Sequence, residues 1–125
     1  MTENEIGERI IGAAIKVHSS VGPGLLESAY EACLAHELAK RRFNVRAQVV
    51  LPIRYNGLVV DKGYWIDLLV EDRVVVELKS PAVILPVHRS QLLSYLRLGD
   101  FKLGYLLNFN VTQMREGIVR LANEL

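Results

Sequence analysis

The residues best suited to chemistry lie in Ile66-Asp67-Leu68-Leu69-Val70-Glu71-Asp72-Arg73-Val74-Val75-Val76-Glu77-Leu78-Lys79, two apolar runs that carry Asp67, Glu77 and Lys79. Residues two apart in a strand share a face, so Glu77 and Lys79 project together while Val76 and Leu78 point the other way. Asp67 joins them if the strands form a hairpin with an odd connection, for instance a three-residue Glu71-Asp72-Arg73 loop, or if a bulge shifts the register. A two-residue Glu71-Asp72 turn would pair Asp67 with Val76 instead, and the sequence leaves both open. In the odd register two carboxylates can share a hard divalent cation through oxygen. The lysine beside them could hold or help deprotonate a water while the cation polarises a phosphoryl oxygen. The competing reading is a solvated hairpin face that happens to bear a Glu and a Lys.

Two helical patterns add candidates. Glu27 lies three, seven and eleven residues before Tyr30, Leu34 and Leu38, at the border of an apolar stripe. It could supply a third carboxylate, or simply occupy the first turn of its helix, where negative charge is favourable by about 0.3–1 kcal/mol. Gln91 and Tyr95, four apart, share one helix face; the plainer account makes Tyr95 core and Gln91 exposed. His88, at the start of the same helix, could face the site or serve as a helix-surface or phosphate-contacting residue.

Positioning these groups requires the following elements. Ile6, Ile10, Ala13, Ala14, Val17 and Val21 recur at helical spacing from Glu5 to Val21, ending at Gly22-Pro23-Gly24. A second helix spans Leu25 to Arg42, closed by Lys40-Arg41-Arg42. Strands follow at Val45 to Tyr55, Leu58 to Asp61, Trp65 to Val70 and Val74 to Lys79, with Asn56-Gly57 as a hairpin turn; together they predict an antiparallel meander. Ser80-Pro81 interrupts the strand pattern, and Pro86 opens a third helix running to Leu98 before Gly99-Asp100. A strand from Lys102 to Phe109 then implies a parallel pairing through a right-handed crossover, hence a mixed sheet. A short turn or helix and an edge strand at Ile118 to Leu121 complete the chain.

The chain has 125 residues, half of them apolar and 23% charged, which suits one domain over residues 1–125 and excludes both a multidomain machine and intrinsic disorder. Its formal charge of +1 means that any electrostatic recognition must be local. No apolar run approaches the ~20 residues that cross a bilayer, and MTENEIGERI has no signal-peptide pattern. With one cysteine, Cys33, there is no internal disulfide and no iron–sulfur cluster, so Cys33 reads as a small core residue and the expected setting is the reducing cytoplasm.

Gly24-Leu25-Leu26-Glu27-Ser28-Ala29-Tyr30 resembles the signature of the bacterial GxxExxY proteins. Ile66 to Lys79, Pro86-Val87-His88-Arg89-Ser90-Gln91-Leu92-Leu93-Ser94-Tyr95 and Asn108-Phe109-Asn110 resemble the same family's downstream blocks, so the likeness covers nearly the whole chain. Through that family the chain is similar to the PD-(D/E)XK nuclease superfamily, whose core places an acid on a leading helix, an Asp on one strand and Glu-x-Lys on the next. The resemblance implies an α/β restriction-endonuclease-like core, a mixed sheet flanked by helices, with two N-terminal helices. It implies Glu27, Asp67, Glu77, Lys79 and Gln91 as catalytic residues, with Asp67, Glu77 and Glu27 as ligands of Mg²⁺ or Mn²⁺. Gln91 and Tyr95 match the Gln-x-x-x-Tyr helix motif of RecB-type nucleases, which supports the lysine and the bound phosphate; Tyr95, His88 and Arg89 are the implied substrate contacts. The superfamily's Pro-Asp is replaced by Ile66-Asp67, and the histidine that RecB-type enzymes often carry before the Asp has no counterpart between His36 and His88.

The expected function is therefore metal-dependent hydrolysis of nucleic-acid phosphodiesters, with DNA favoured. Arg41, Arg42, Arg46, Arg54, Lys62, Arg89 and Arg97 could edge the cleft or merely solvate the surface. A homodimer would supply two sites for the two strands of a duplex. The rival class is a non-catalytic module that binds nucleic acid or protein through the same fold.

Overall fold

The structure, a computed structural model, describes residues 1–80 and 83–125. Helix α1 (Glu3–Val21) starts on a reciprocal cap: Thr2 Oγ1 accepts from the Glu5 amide and Glu5 Oε1 from the Thr2 amide. It stops where Gly22 and Gly24 take φ of 67° and 100°, a left-handed backbone that glycine adopts without steric cost. Helix α2 (Glu27–Lys40) follows directly.

Strands β1 (Val45–Val50), β4 (Trp65–Val70), β5 (Val74–Lys79), β6 (Leu103–Asn108) and β7 (Ile118–Ala122) form one sheet in the order β1-β4-β5-β6-β7. Among the described residues only β5 and β6 run parallel, and helix α3 (Pro86–Gly99) lies in the connection between them. A short 3₁₀ turn (Met114–Gly117) leads into β7. The mixed sheet with flanking helices is thus the α/β architecture expected of a restriction-endonuclease-like core.

One expectation is corrected. The run from Val45 to Tyr55 is not one strand, and the following strands do not form a continuous meander. Leu51 is the last residue to continue the ladder, its amide donating to the Tyr64 carbonyl, and Pro52 has no N–H with which to extend it. The chain leaves the sheet there as a separate hairpin, β2 (Ile53–Tyr55) and β3 (Leu58–Val60), before β4 pairs directly with β1. Asn56 and Gly57, with φ of 48° and 84°, make its tight turn. Pro81, read as the interruption after β5, lies outside the described residues.

Two cores sandwich the sheet. Ile10, Leu34 and Leu38 of α1 and α2 pack with Leu68, Val76 and Leu78 on one face, while Leu92, Tyr95 and Leu96 of α3 pack with Ile66, Leu69 and Val75 on the other. Among the described residues no helix is long and apolar enough to cross a membrane.

Candidate active site

The connection between β4 and β5 has three residues, Glu71, Asp72 and Arg73, and pairs Val70 with Val74 and Leu68 with Val76. This is the odd register, and its continuation sets Asp67 opposite Glu77. Glu71 and Asp72 accept left-handed φ of 55° and 54° to close the turn, with Glu71 anchored by its amide to the Asn44 carbonyl. Asp72 pairs with Arg46 at 2.7 Å.

The strand pattern slips at Asp67. Strict alternation would put Ile66 on the same face as Leu68, yet Ile66 packs with Leu69 in the α3-side core. Opposite the slip, between the pairs Ala47–Leu68 and Val49–Ile66, Gln48 has φ of 53°, an uncommon conformation for a side-chain-bearing residue. Side chains take over the backbone bonds at this break: the Asp67 amide donates to Glu77 Oε2 at 2.7 Å and the Leu78 amide donates to Asp67 Oδ2 at 2.9 Å. Each acid is therefore oriented by the strand that carries the other.

Glu77 is 3% exposed. Burial, reinforced by the negative charge of Asp67, pushes its carboxyl up to about 8; the Asp67 amide and the Lys79 ammonium oppose that shift without cancelling it. Lys79, the last residue of β5 and on the same strand face as Glu77, donates from Nζ to Gln91 Oε1 at 3.2 Å, and Gln91 Nε2 donates to the Tyr95 hydroxyl at 3.2 Å. The chain Lys79–Gln91–Tyr95 thus ties the lysine to α3. Tyr95 is buried, and burial together with Glu77 raises its phenol above the usual range. In the parallel β5–β6 ladder, buried Asn108 is the partner of Lys79.

On the other side, α2 presents Glu27, Ser28 and Glu31 to a cleft of about 150 Å³ shared with Gln48, Asp67 and Leu78. The sequence pointed to Glu27, which is exposed in the first turn; Glu31 is the more engaged acid and was missed. Gln48 Nε2 donates to Glu31 Oε1 at 2.6 Å and to Asp67 Oδ1 at 3.2 Å, bridging two carboxylates. Burial raises the Glu31 pKa and Asp67 raises it further, against the lowering effect of the Gln48 bond. Glu31 stands four residues after Glu27, on the same helix face, and that spacing was a usable signal.

Tyr30 explains how Glu27 is placed. Its hydroxyl donates to the Gly22 carbonyl at 2.6 Å and accepts the Leu25 amide at 3.1 Å, clasping the α1–α2 turn, while its ring stacks on Phe109 at 4.6 Å. His88 does not turn to the acids: its Nδ1 accepts the Leu85 amide at 3.0 Å and closes the start of α3. Arg89 is exposed on the same turn. Of the other basic candidates, Arg41 pairs with Glu37 and Arg46 with Asp72.

The donor chemistry suits a hard divalent cation, since the facing groups are carboxylates and a cation would favour the ionised Glu77 that burial, and after it the charge of Asp67, disfavours. The structure does not, however, gather Glu27 with Asp67 and Glu77 into one ligand set. Among the described residues no three His, Cys, Asp or Glu side chains form a group that could hold a metal ion. Glu27 reaches the Asp67 side of the break, whereas Glu77 faces the α3 side.

Fold and site together define a restriction-endonuclease-like α/β core with an acid pair and a lysine at a break between two strands. Residues 4–121 match the family model of the PD-(D/E)XK nuclease superfamily, and the chain belongs to that superfamily. A solved structure described as "Crystal structure of SSO0001" aligns with a TM-score of 0.53 and 19% identity, over 96% of this chain and 79% of the other, a likeness of fold. No curated protein gives a significant match.

Proposed function

We propose that this protein hydrolyses phosphodiester bonds of nucleic acid, DNA in the first place, using Mg²⁺ or Mn²⁺ held by Asp67 and Glu77 with Glu27 approaching from α2. The observation that carries the reading is the joint placement of the Asp67–Glu77 pair and a lysine held by Gln91. When bound, the cation supplies a positive charge that polarises a phosphoryl oxygen and acidifies water. Asp67 is held by the Leu78 amide and Gln48, so its carboxylate needs little rearrangement to serve. Lys79, steadied by Gln91, presents an ammonium to the phosphoryl oxygens or to the attacking water, where a fixed charge stabilises the charge that develops. Tyr95 acts from behind Gln91 as a positioning residue. Arg89, exposed at the start of α3, is assigned to substrate phosphate; His88 is assigned there through its remaining ring nitrogen.

The proposal includes a cytoplasmic setting and, for cleavage of both duplex strands, a homodimer. The test is a panel of labelled single- and double-stranded DNA and RNA with each ion, run beside Asp67→Asn. Cleavage abolished by that substitution supports the reading; tight nucleic-acid binding with no cleavage under any ion would leave the non-catalytic module.

A further inference from the structure

A second feature is a cleft of about 570 Å³ whose lining includes Arg46, Arg54 and Arg97 around an apolar floor with Val49, Leu51 and Phe101. Among the described residues its lining contains no carboxylate. Arg46 is held by Asp72, whereas among the described residues Arg54 and Arg97 have no ion-pair partner. All three arginines are exposed, and they converge from three elements, β1, the β2–β3 hairpin and the end of α3. Ile66, which also lines the cleft, is the residue immediately before Asp67. The ladder sets Trp65 opposite Val50 and Tyr64 opposite Leu51, so two half-exposed aromatic residues, at 46% and 41%, are paired with the β1 residues that line the cleft. Tyr55, 69% exposed, adds a third aromatic on the hairpin beside Arg54.

We infer that this cleft binds an unpaired stretch of the nucleic-acid substrate, phosphates on Arg54 and Arg97 and a base on the apolar floor, and leads the strand past Ile66 to the adjoining Asp67; it rests on the hydrolase reading above for the identity of that substrate. A cationic rim alone would suit any polyanion. The apolar floor and the exposed rings suit bases whose faces are free, because stacking on side chains requires that they not be stacked within a duplex. A duplex offers such a concavity only phosphates and groove edges. The β2–β3 hairpin, which has left the main sheet, thereby acquires a role as one wall of the path.

The test is fluorescence anisotropy of a labelled oligothymidylate and of a matched duplex, in EDTA so that no turnover intervenes, across a salt series. Wild type should bind the single strand more tightly than the duplex. Arg54→Ala/Arg97→Ala should weaken single-strand binding by about tenfold or more and lower its salt slope by roughly 0.7 for each lost phosphate contact. Arg54→Lys/Arg97→Lys should recover most of the slope. Loss of binding in the alanine variant supports the inference even if no ion produces cleavage. Equal binding by wild type and the alanine variant, or a preference for duplex, overturns it even if cleavage is observed. Binding of polyglutamate in place of the oligonucleotide overturns it in favour of an acidic protein partner.

Discussion

At the residue scale, the site is governed by how Asp67 and Glu77 exchange hydrogen bonds across the break in the β4–β5 ladder. Asp67→Ala would leave the Leu78 amide unsatisfied, a cost of about 1–3 kcal/mol in a buried setting, so Asp67→Asn is the better probe of chemistry. The raised Glu77 carboxyl gives a pH prediction with a definite sign. Its pKa moves from the ordinary carboxyl value of 4.5 to about 8, so between those values the folded protein keeps a proton that the unfolded chain has lost. Stability from this group is fully present below about 4.5 and declines as pH rises to about 8. In EDTA, the melting temperature of wild type relative to Glu77→Gln should therefore fall across that window; a difference that stays flat or rises would contradict the buried protonated carboxyl. Strand alternation made Glu77 and Lys79 legible as neighbours, but the register of Asp67 was open between two turns until the loop geometry closed it. Gln48 and its bridge to Glu31 were not legible, because they depend on a left-handed φ at a long polar residue that no periodicity encodes.

At the element scale, the α1–α2 turn positions Glu27 and Glu31, and Tyr30 holds that turn by two hydrogen bonds. Tyr30→Phe keeps the ring stack on Phe109 and removes both bonds, so it should destabilise the fold by about 1–2 kcal/mol, read by urea denaturation. An unchanged denaturation midpoint would mean that the turn closes without the clasp. The helices and β4, β5 and β6 follow closely from apolar periodicity, with Pro86 opening α3 and Gly22-Pro23-Gly24 ending α1. The error fell at Leu51-Pro52, where two β-rich runs abut. Propensity reports that both sides are extended, but whether they share a sheet depends on the unavailable Pro52 donor and on the distant partner Trp65.

At the scale of the whole molecule, a formal charge of +1 hides strong local asymmetry, with acids at the β4–β5 break and arginines around the neighbouring cleft. The superfamily fold was legible because its motifs are spread along almost the whole chain; the separation of Glu27 from Glu77 was not, because it depends on which face of the sheet α2 covers: Glu77 shares the face of Val75 in the α3-side core, and α2 packs on the other. Cation binding to the folded state alone should raise the melting temperature in millimolar Mg²⁺ or Mn²⁺ by mass action, an increment that Asp67→Asn should abolish and whose persistence in that variant would move the metal elsewhere. The most direct test of the central claim is the cleavage rate of end-labelled DNA in Mn²⁺ for wild type and Lys79→Met, which keeps most of the aliphatic stem and removes the charge. The account predicts cleavage by wild type and a loss of about 10²–10³ in rate for the variant, with nucleic-acid binding little changed. A wild type that cleaves nothing, or a Lys79→Met variant that cleaves at the wild-type rate, would contradict it.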